Sequence, residues 1–164
     1  MKALLSLTLL VVSAIGVPVQ TGQPELRLTL QLDQTRFRAG EPIKAHITIE
    51  NRSAVDVVIN RRFLINHPSG AHEIFFQILG PDKKLVPFES QVRAFYESRE
   101  FMRLGTEEVF GKLYDLTGDY DLNKAGEYTI TAFYENDQDP PTEMKLRAAW
   151  KGRLKSNSVR FVIE

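Results

Sequence analysis

The chain of 164 residues contains no cysteine. This absence excludes thiol nucleophiles, cysteine-ligated zinc sites and disulfides together. It also excludes a lipid-anchored lipoprotein, whose anchor is a cysteine. The domain must therefore be stable through burial of apolar side chains alone, which a chain of this length can achieve.

An excess of charge of one sign is also missing. The 21 Lys and Arg residues balance 21 Asp and Glu residues, so the formal net charge is zero. No broad electrostatic field directs such a chain to nucleic acid or to an anionic membrane surface. Long helical patterns and strand–helix alternation are absent as well, which excludes a parallel α/β architecture.

The one long apolar run lies at the N-terminus. A positive start at Met1-Lys2 precedes the apolar residues 3–12, and Ala14-Ile15-Gly16 provides small residues for signal peptidase. The run is shorter than the roughly 20 residues that a membrane span requires. We predict a signal peptide over residues 1–19 and an exported domain over residues 20–164. The mature domain is expected in the periplasm or outside the cell, without a membrane anchor.

Alternation of apolar and polar residues is the main structural signal. Leucines from Leu26 to Leu32 alternate with polar residues, as expected of a strand with one buried face. Similar patterns begin at Ile43, Ile74, Tyr128 and Val159. Turn residues separate the segments by about 8–12 residues, which is typical of sandwiches. We predict an all-β, antiparallel immunoglobulin-like β-sandwich of seven to eight strands.

Three segments are less regular. Residues 84–86 are predicted to form the return strand of a hairpin, which Pro87 ends or confines to an edge. Residues 107–113 are predicted to form a strand with a bulge at Gly111. Residues 89–103 show no clear period, and both a short helix and a long loop fit them.

Residues 120–130, YDLNKAGEYTI, resemble the Leu-x-x-x-Gly-x-Tyr corner of immunoglobulin-like domains. The resemblance implies that Tyr128 lies at the start of a strand and that its hydroxyl bonds back to the turn. Antibody domains have a cysteine two residues after this tyrosine, whereas this chain has Ile130. Contact with Ile47 would then replace the inter-sheet disulfide, as in bacterial immunoglobulin-like domains.

Residues 113–130 also resemble the sandwich pro-segment of deuterolysin-type, peptidyl-lysine metalloproteases. That resemblance implies a domain that accompanies proteolysis, since the catalytic half of the family is absent from this sequence.

No metal motif is complete. His72-Glu73 begins the zinc motif H-E-x-x-H, but residue 76 is phenylalanine and the segment alternates as a strand. The three histidines, His46, His67 and His72, have no predicted meeting point and are interpreted as surface groups. Two acidic clusters could form weak calcium sites, although turn chemistry is the favoured interpretation. They are Asp115, Asp119 and Asp121, and Glu135, Asp137 and Asp139.

Three further motifs have a structural interpretation as well as a functional one. Asn51-Arg52-Ser53 fits a glycosylation sequon but is interpreted as a turn. Arg61-Arg62-Phe63 is interpreted as a charged turn, with contact to an acidic partner as the alternative. The aromatic residues Phe95, Tyr96 and Phe101 are predicted to plug the sandwich rather than to form an exposed patch.

No serine lies in a nucleophile elbow, and we predict no catalytic, cofactor-binding or metal-binding residue. The leading hypothesis is a non-enzymatic binding or accessory domain for an unidentified protein partner. Its candidate surfaces are residues 61–71, 89–103 and 135–142, or an edge strand. A protease inhibitor or protease-associated propeptide-like domain is the alternative, and an enzyme with an unrecognised site is the third. The oligomeric state stays open.

Overall fold

The structure is a computed structural model that describes residues 25–65, 73–89 and 100–164. The predicted signal peptide lies outside these residues. The described segments form nine strands and one 3-10 turn, and none contains an apolar helix of membrane-spanning length. In chain order these are β1 (Leu26–Leu32), β2 (Arg36–Phe37), β3 (Lys44–Asn51), β4 (Val57–Asn60), β5 (Ile74–Leu79), β6 (Phe101–Leu104), β7 (Val109–Asp115), β8 (Gly126–Asn136), the 3-10 turn (Thr142–Met144) and β9 (Gly152–Ile163).

The strands form two principal sheets and a small one. One sheet has the order β1-β3-β7, and the other has the order β2-β9-β8-β5. Strands β4 and β6 form a separate antiparallel pair. Pairing is antiparallel except for the short contact between β2 and β9. The prediction of an all-β antiparallel sandwich is confirmed.

The core lies where the two principal sheets face each other. Leu28 and Leu30 of β1 pair with Ile49 and Ile47 of β3, and all four are buried. From the other sheet, alternate residues of β8 enter the same cluster, which are Tyr128, Ile130, Ala132 and Tyr134. Each large aliphatic side chain buried in this way contributes about 1.5–3 kcal/mol. Ile130 and Ile47, the pair expected to replace the disulfide by contact, both lie in this core cluster.

The tyrosine corner is present. The Tyr128 hydroxyl donates a hydrogen bond to the carbonyl of Lys124 at 2.7 Å. The Tyr128 ring stacks on Phe161 of β9, with 5.1 Å between ring centroids. Gly126 begins β8 with a φ of 136°, a conformation that favours glycine. The corner therefore fixes the start of β8 against β9.

The prediction of a β-bulge at Gly111 is wrong. The pairing of β3 with β7 runs without interruption through Thr48 and Gly111. A Cβ at Gly111 would lie 2.9 Å from both the Ile47 carbonyl oxygen and Thr48 Cγ2. Glycine is therefore required here because two backbones approach closely, which is the other common reason for glycine inside a strand.

The register shift occurs instead between β8 and β9. Thr131 pairs with Ser158 and Phe133 with Lys155, so two β9 residues oppose one β8 residue. Ser156 Oγ accepts the Ala132 N–H at 2.9 Å. Bulges commonly redirect a side chain, and this one includes Asn157.

Asn157 joins the two principal sheets. Its Oδ1 accepts the Leu30 N–H at 3.0 Å, and its Nδ2 donates to the Leu30 carbonyl at 2.9 Å. The amide thus makes the pair of bonds that a neighbouring strand would make. It closes the outer edge of β1 at its centre.

We expect Asn157→Ala to lower the free energy of unfolding by about 1–2 kcal/mol, because both Leu30 backbone groups lose their partner. Urea unfolding at constant m-value measures the change. Asn123→Ala is the control, since its amide only bonds Asp121 in an exposed turn. Its effect should stay within about 0.5 kcal/mol. Equal effects of the two variants would contradict the bridging role of Asn157.

Several predicted boundaries differ from the structure. Residues 101–104, within the undecided segment 89–103, form β6. The predicted return strand at 84–86 makes only an isolated bridge, between Leu79 and Leu85. Strand β8 continues through Asn136, so the candidate surface 135–142 begins within a strand. Strand β9 begins at Gly152, before the alternating pattern that starts at Val159.

Candidate functional site

The predicted histidine and metal candidates do not form a site among the described residues. His46 lies on the exposed face of β3 with Nε2 2.7 Å from Asp33 Oδ1. His67 and His72 lie outside the described residues. Within the described ranges, no three His, Asp or Glu side chains are close enough to hold a metal ion.

The first acidic cluster uses its carboxylates within turns. Asp115 Oδ1 accepts the Thr117 N–H at 3.0 Å, and Asp121 Oδ1 accepts the Asn123 N–H at 3.2 Å. These are the local side-chain-to-backbone bonds that aspartate makes in turns. The interpretation as turn chemistry is confirmed for these two residues.

The second acidic cluster is divided between a strand and a loop. Glu135 lies in β8 and accepts two hydrogen bonds from the Arg153 guanidinium. Asp139 lies in the following loop, where Oδ1 accepts the Ala149 N–H and Oδ2 lies 2.6 Å from Lys151 Nζ. The hydrogen bond from Lys151 is the main cause of a lowered pKa of Asp139. The cluster orders the loop before β9.

Arg61-Arg62-Phe63 is not the simple charged turn that the sequence indicated. Phe63 is fully buried in the core and has a φ of 47°. Arg62 pairs with Glu73, whose side chain is only 6% exposed.

Phe101, one of three aromatic residues predicted as a plug, is buried in β6. Phe95 and Tyr96 lie outside the described residues.

Glu73 holds the segment after β4 in place. Its Oε1 accepts Asn60 Nδ2 at 3.0 Å and Arg62 Nε at 3.1 Å, and also Arg62 Nη2. Its Oε2 accepts the Leu64 N–H at 3.1 Å. Sequence reasoning considered Glu73 only within an incomplete zinc motif. A glutamate directly before a strand of apolar residues was the signal that could have identified a buried ion pair.

Tyrosines complete this buried polar cluster. The Tyr134 hydroxyl accepts the Asn60 N–H and donates to the Asn60 carbonyl, both at 3.1 Å. The Tyr114 hydroxyl donates to the Phe63 carbonyl at 2.6 Å. Burial, and then the nearby Glu73 carboxylate, raises the pKa of Tyr114 well above its usual value, so its hydroxyl stays a donor. Tyr114 belongs to β7, so the cluster positions β7 as well.

Other side chains of β7 contact the same segment. Phe110 packs edge-on against Phe63, with centroids 5.0 Å apart. Lys112 Nζ donates to the Arg62 carbonyl at 3.1 Å. The inward-facing residues of β7 are therefore anchored to the segment after β4.

The opposite edge of β7 has no backbone partner among the described residues. Hydrogen bonds from Asn51 N to the Glu108 carbonyl and from Leu116 N to the Ile43 carbonyl fix the alternation between β3 and β7. Even-numbered β7 residues then bond to β3, and odd-numbered ones direct their N–H and C=O groups outward. Within the described part of the chain, no backbone group bonds to the outward groups of Val109, Gly111 or Leu113.

The other three edge strands of the principal sheets are short or are bonded over part or all of their length. Strand β1 is bonded at its centre, where Asn157 binds Leu30, and β2 has only two residues. The edge of β5 is hydrogen-bonded along its length. Its Ile74 N–H donates to the Leu64 carbonyl. Its Phe76 and Ile78 carbonyls accept from the Tyr120 hydroxyl and the Val86 N–H, respectively. Proteins commonly cover or shorten sheet edges in this way to prevent unwanted pairing.

Apolar side chains accompany the open edge. Val109 is 59% exposed and Leu113 is 47% exposed on the outer face of β7, with Gly111 between them. An open strand of seven residues with exposed apolar side chains is suited to pairing with another extended chain. We define Val109, Gly111 and Leu113 as the β7 edge, the candidate functional site.

The apolar groove beside β5 is a weaker candidate for a functional site than the β7 edge. An apolar groove of about 430 Å³ lies beside β5, lined by residues that include Phe75, Phe88 and Phe133. Its one cationic residue, Arg153, lies over the Phe75 ring and is bound to Glu135. The groove does not bring together a nucleophile and a base, as a hydrolytic site would require.

Similarity of this chain to known proteins is found among solved structures. No protein-family model and no curated protein matches the chain. Among solved structures, the chain is similar to the CARDB domain of the PF1109 protein from Pyrococcus furiosus, which was crystallised in complex with di-metal ions. The identity is 10% and the TM-score 0.45, over 87% of this chain and 90% of that one. None of these comparisons shows a deuterolysin-type pro-segment, so the protease-associated hypothesis stays a prediction.

Proposed function

We propose that this chain is a non-enzymatic binding domain, acting after export, that binds an extended segment of a partner protein by strand addition to the β7 edge. The observation that carries the proposal is the contrast between edges: β5 is bonded along its length, β1 is bonded at Leu30 and β2 is short, whereas no backbone group among the described residues bonds to the outward side of β7. The added segment would become a fourth strand beside β7.

The energetics of strand addition suit this edge. Main-chain hydrogen bonds provide affinity, and side chains on alternate positions provide specificity. The anchoring of β7 through Tyr114 and Lys112 lowers the conformational entropy that binding must offset. Val109 and Leu113 add apolar area that the added strand would bury.

We expect Leu113→Pro to weaken partner binding by about tenfold or more, since it removes an outward N–H that the added strand needs. Proline is tolerated at edge positions whose N–H faces solvent, so the domain should stay folded. A photo-crosslinking residue at position 113 would first identify the bound segment in the exported fraction. Isothermal titration with that segment as a synthetic peptide then gives the affinity of each variant.

Two controls sharpen this test. Leu113→Thr keeps the N–H and should lose much less affinity than Leu113→Pro. Lys112→Pro removes an N–H that bonds β3 and should lower the free energy of unfolding by about 3 kcal/mol. Two results would overturn the proposal: equal binding by the wild type and Leu113→Pro, or a homodimer in sedimentation that Leu113→Pro dissociates. In the second case the edge pairs with another copy of this chain.

A further inference from the structure

We infer that the segment bound at the β7 edge carries an aromatic residue opposite Gly111, flanked by acidic residues that face Lys112. This inference rests on the proposed function and specifies the chemistry of the partner. Two separate features of β7 lead to it, one on each face of the strand.

The first feature is a slot at Gly111. Gly111 has no side chain, and Thr48 Cγ2 and the Ile47 carbonyl oxygen of β3 each lie 2.9 Å from the position that a Cβ would take. Val109 and Leu113 lie two residues away on the same face, which places each about 7 Å from Gly111 along the strand. Gly111 therefore leaves a gap in the row of outward β7 side chains, bounded by Val109 and Leu113 along the strand and by the Thr48 methyl group toward β3.

A flat ring complements this slot. Large aromatic side chains on an adjacent strand cover a glycine at a sheet edge and compensate for its missing side chain. Aromatic and β-branched residues are also favourable cross-strand neighbours, and Val109 lies next to the slot. A smaller residue opposite Gly111 would leave the Thr48 methyl group and the backbone exposed to water.

The second feature is the charge of Lys112 on the other face. Lys112 Nζ donates to the carbonyls of Arg62 and Phe63, and it makes no ion pair with any residue in the described ranges. The nearby Arg62 is neutralised by Glu73, and Arg61 lies near Glu100. The residues of an added strand that flank the ring would face this uncompensated cation, and opposite charges across strands are favourable.

Four capped heptapeptides test the inference, all with Thr-Val before and Val-Thr after a central triplet. The triplets are Glu-Tyr-Glu, Glu-Ala-Glu, Lys-Tyr-Lys and Lys-Ala-Lys, so the order is independent of strand direction. Amide shifts of Val109, Gly111 and Leu113 in ¹⁵N-labelled full-length domain report binding. Glu-Tyr-Glu should bind about tenfold more tightly than Glu-Ala-Glu and about fivefold more tightly than Lys-Tyr-Lys. Lys112→Gln should abolish the preference for glutamate and keep the preference for tyrosine.

The outcomes separate the two proposals. If Leu113→Pro weakens binding and Glu-Tyr-Glu binds most tightly, the proposed function and the inference are both supported. If Leu113→Pro weakens binding but the affinities of the four peptides lie within twofold of each other, the inference is overturned and the proposed function is still supported. Amide shifts elsewhere in the domain, or no binding by any peptide, would overturn both.

Discussion

Glu73→Ala is expected to lower the free energy of unfolding by about 3–5 kcal/mol, the cost of breaking a buried ion pair by removing one partner. The Glu73 side chain is 6% exposed, and the variant leaves the Arg62 guanidinium without its counter-charge. It also removes the acceptors of Asn60 Nδ2 and of the Leu64 N–H. Urea unfolding followed by tryptophan fluorescence, through the single Trp150, measures the loss.

Glu135→Ala is the matched control, because it also removes a glutamate bound to arginine. The Arg153–Glu135 pair is exposed, with side-chain exposures of 53% and 40%, so its loss should cost less than about 1 kcal/mol. Glu73→Gln should fall between the two, because its amide still accepts from Arg62 but cannot accept from the Leu64 N–H as the second oxygen does. A Glu73→Ala cost no greater than that of Glu135→Ala would show that the buried cluster does not hold the fold.

The Glu73 cluster also connects stability to the candidate site. It fixes residues 60–64, and this segment accepts the hydrogen bonds of Tyr114 and Lys112 from β7. Loss of Glu73 should therefore loosen the inner side of β7 even in molecules that remain folded. Hydrogen exchange in β7 of Glu73→Ala, below its unfolding transition, would record this local loosening.

Local sequence patterns were sufficient for the parts of the fold that depend on neighbouring residues. The alternating leucines of β1 and the run from Tyr128 to Tyr134 indicated which faces are buried, because strand residues alternate between two faces. The Gly126-x-Tyr128 pattern indicated the corner, since the hydrogen bond of Tyr128 reaches only four residues back.

Features that depend on pairing between distant segments were missed. The bulge at Ser156 and Asn157 arises from the register of β8 with β9, and Asn157 has its partner 127 residues away. The Glu73 cluster joins four segments of the chain, so no local pattern around Glu73 indicated its buried partners. Whether the β7 edge has a partner strand depends on the path of distant parts of the chain, which no local sequence pattern records.

Gly126→Ala is expected to lower the free energy of unfolding by about 2–6 kcal/mol, the sum of two separate costs. A φ of 136° strains any residue with a Cβ, by about 1–3 kcal/mol. The added Cβ would also lie 2.6 Å from Pro81 Cγ and 2.7 Å from Pro81 Cβ, and such overpacking costs about 1–3 kcal/mol. The ring of Pro81 cannot rotate away as a flexible side chain would.

Three other glycines separate these costs under the same urea assay. Gly40→Ala carries the positive φ of 76° with no atom within 4 Å, so it should show strain alone, about 1–2 kcal/mol. Gly111→Ala carries the close contact without a positive φ and should show overpacking alone, about 1–3 kcal/mol. Gly118→Ala has neither and should stay within about 0.5 kcal/mol. If Gly126→Ala costs no more than Gly40→Ala, the corner yields to the added methyl group, and the Pro81 contact does not fix the entry of β8.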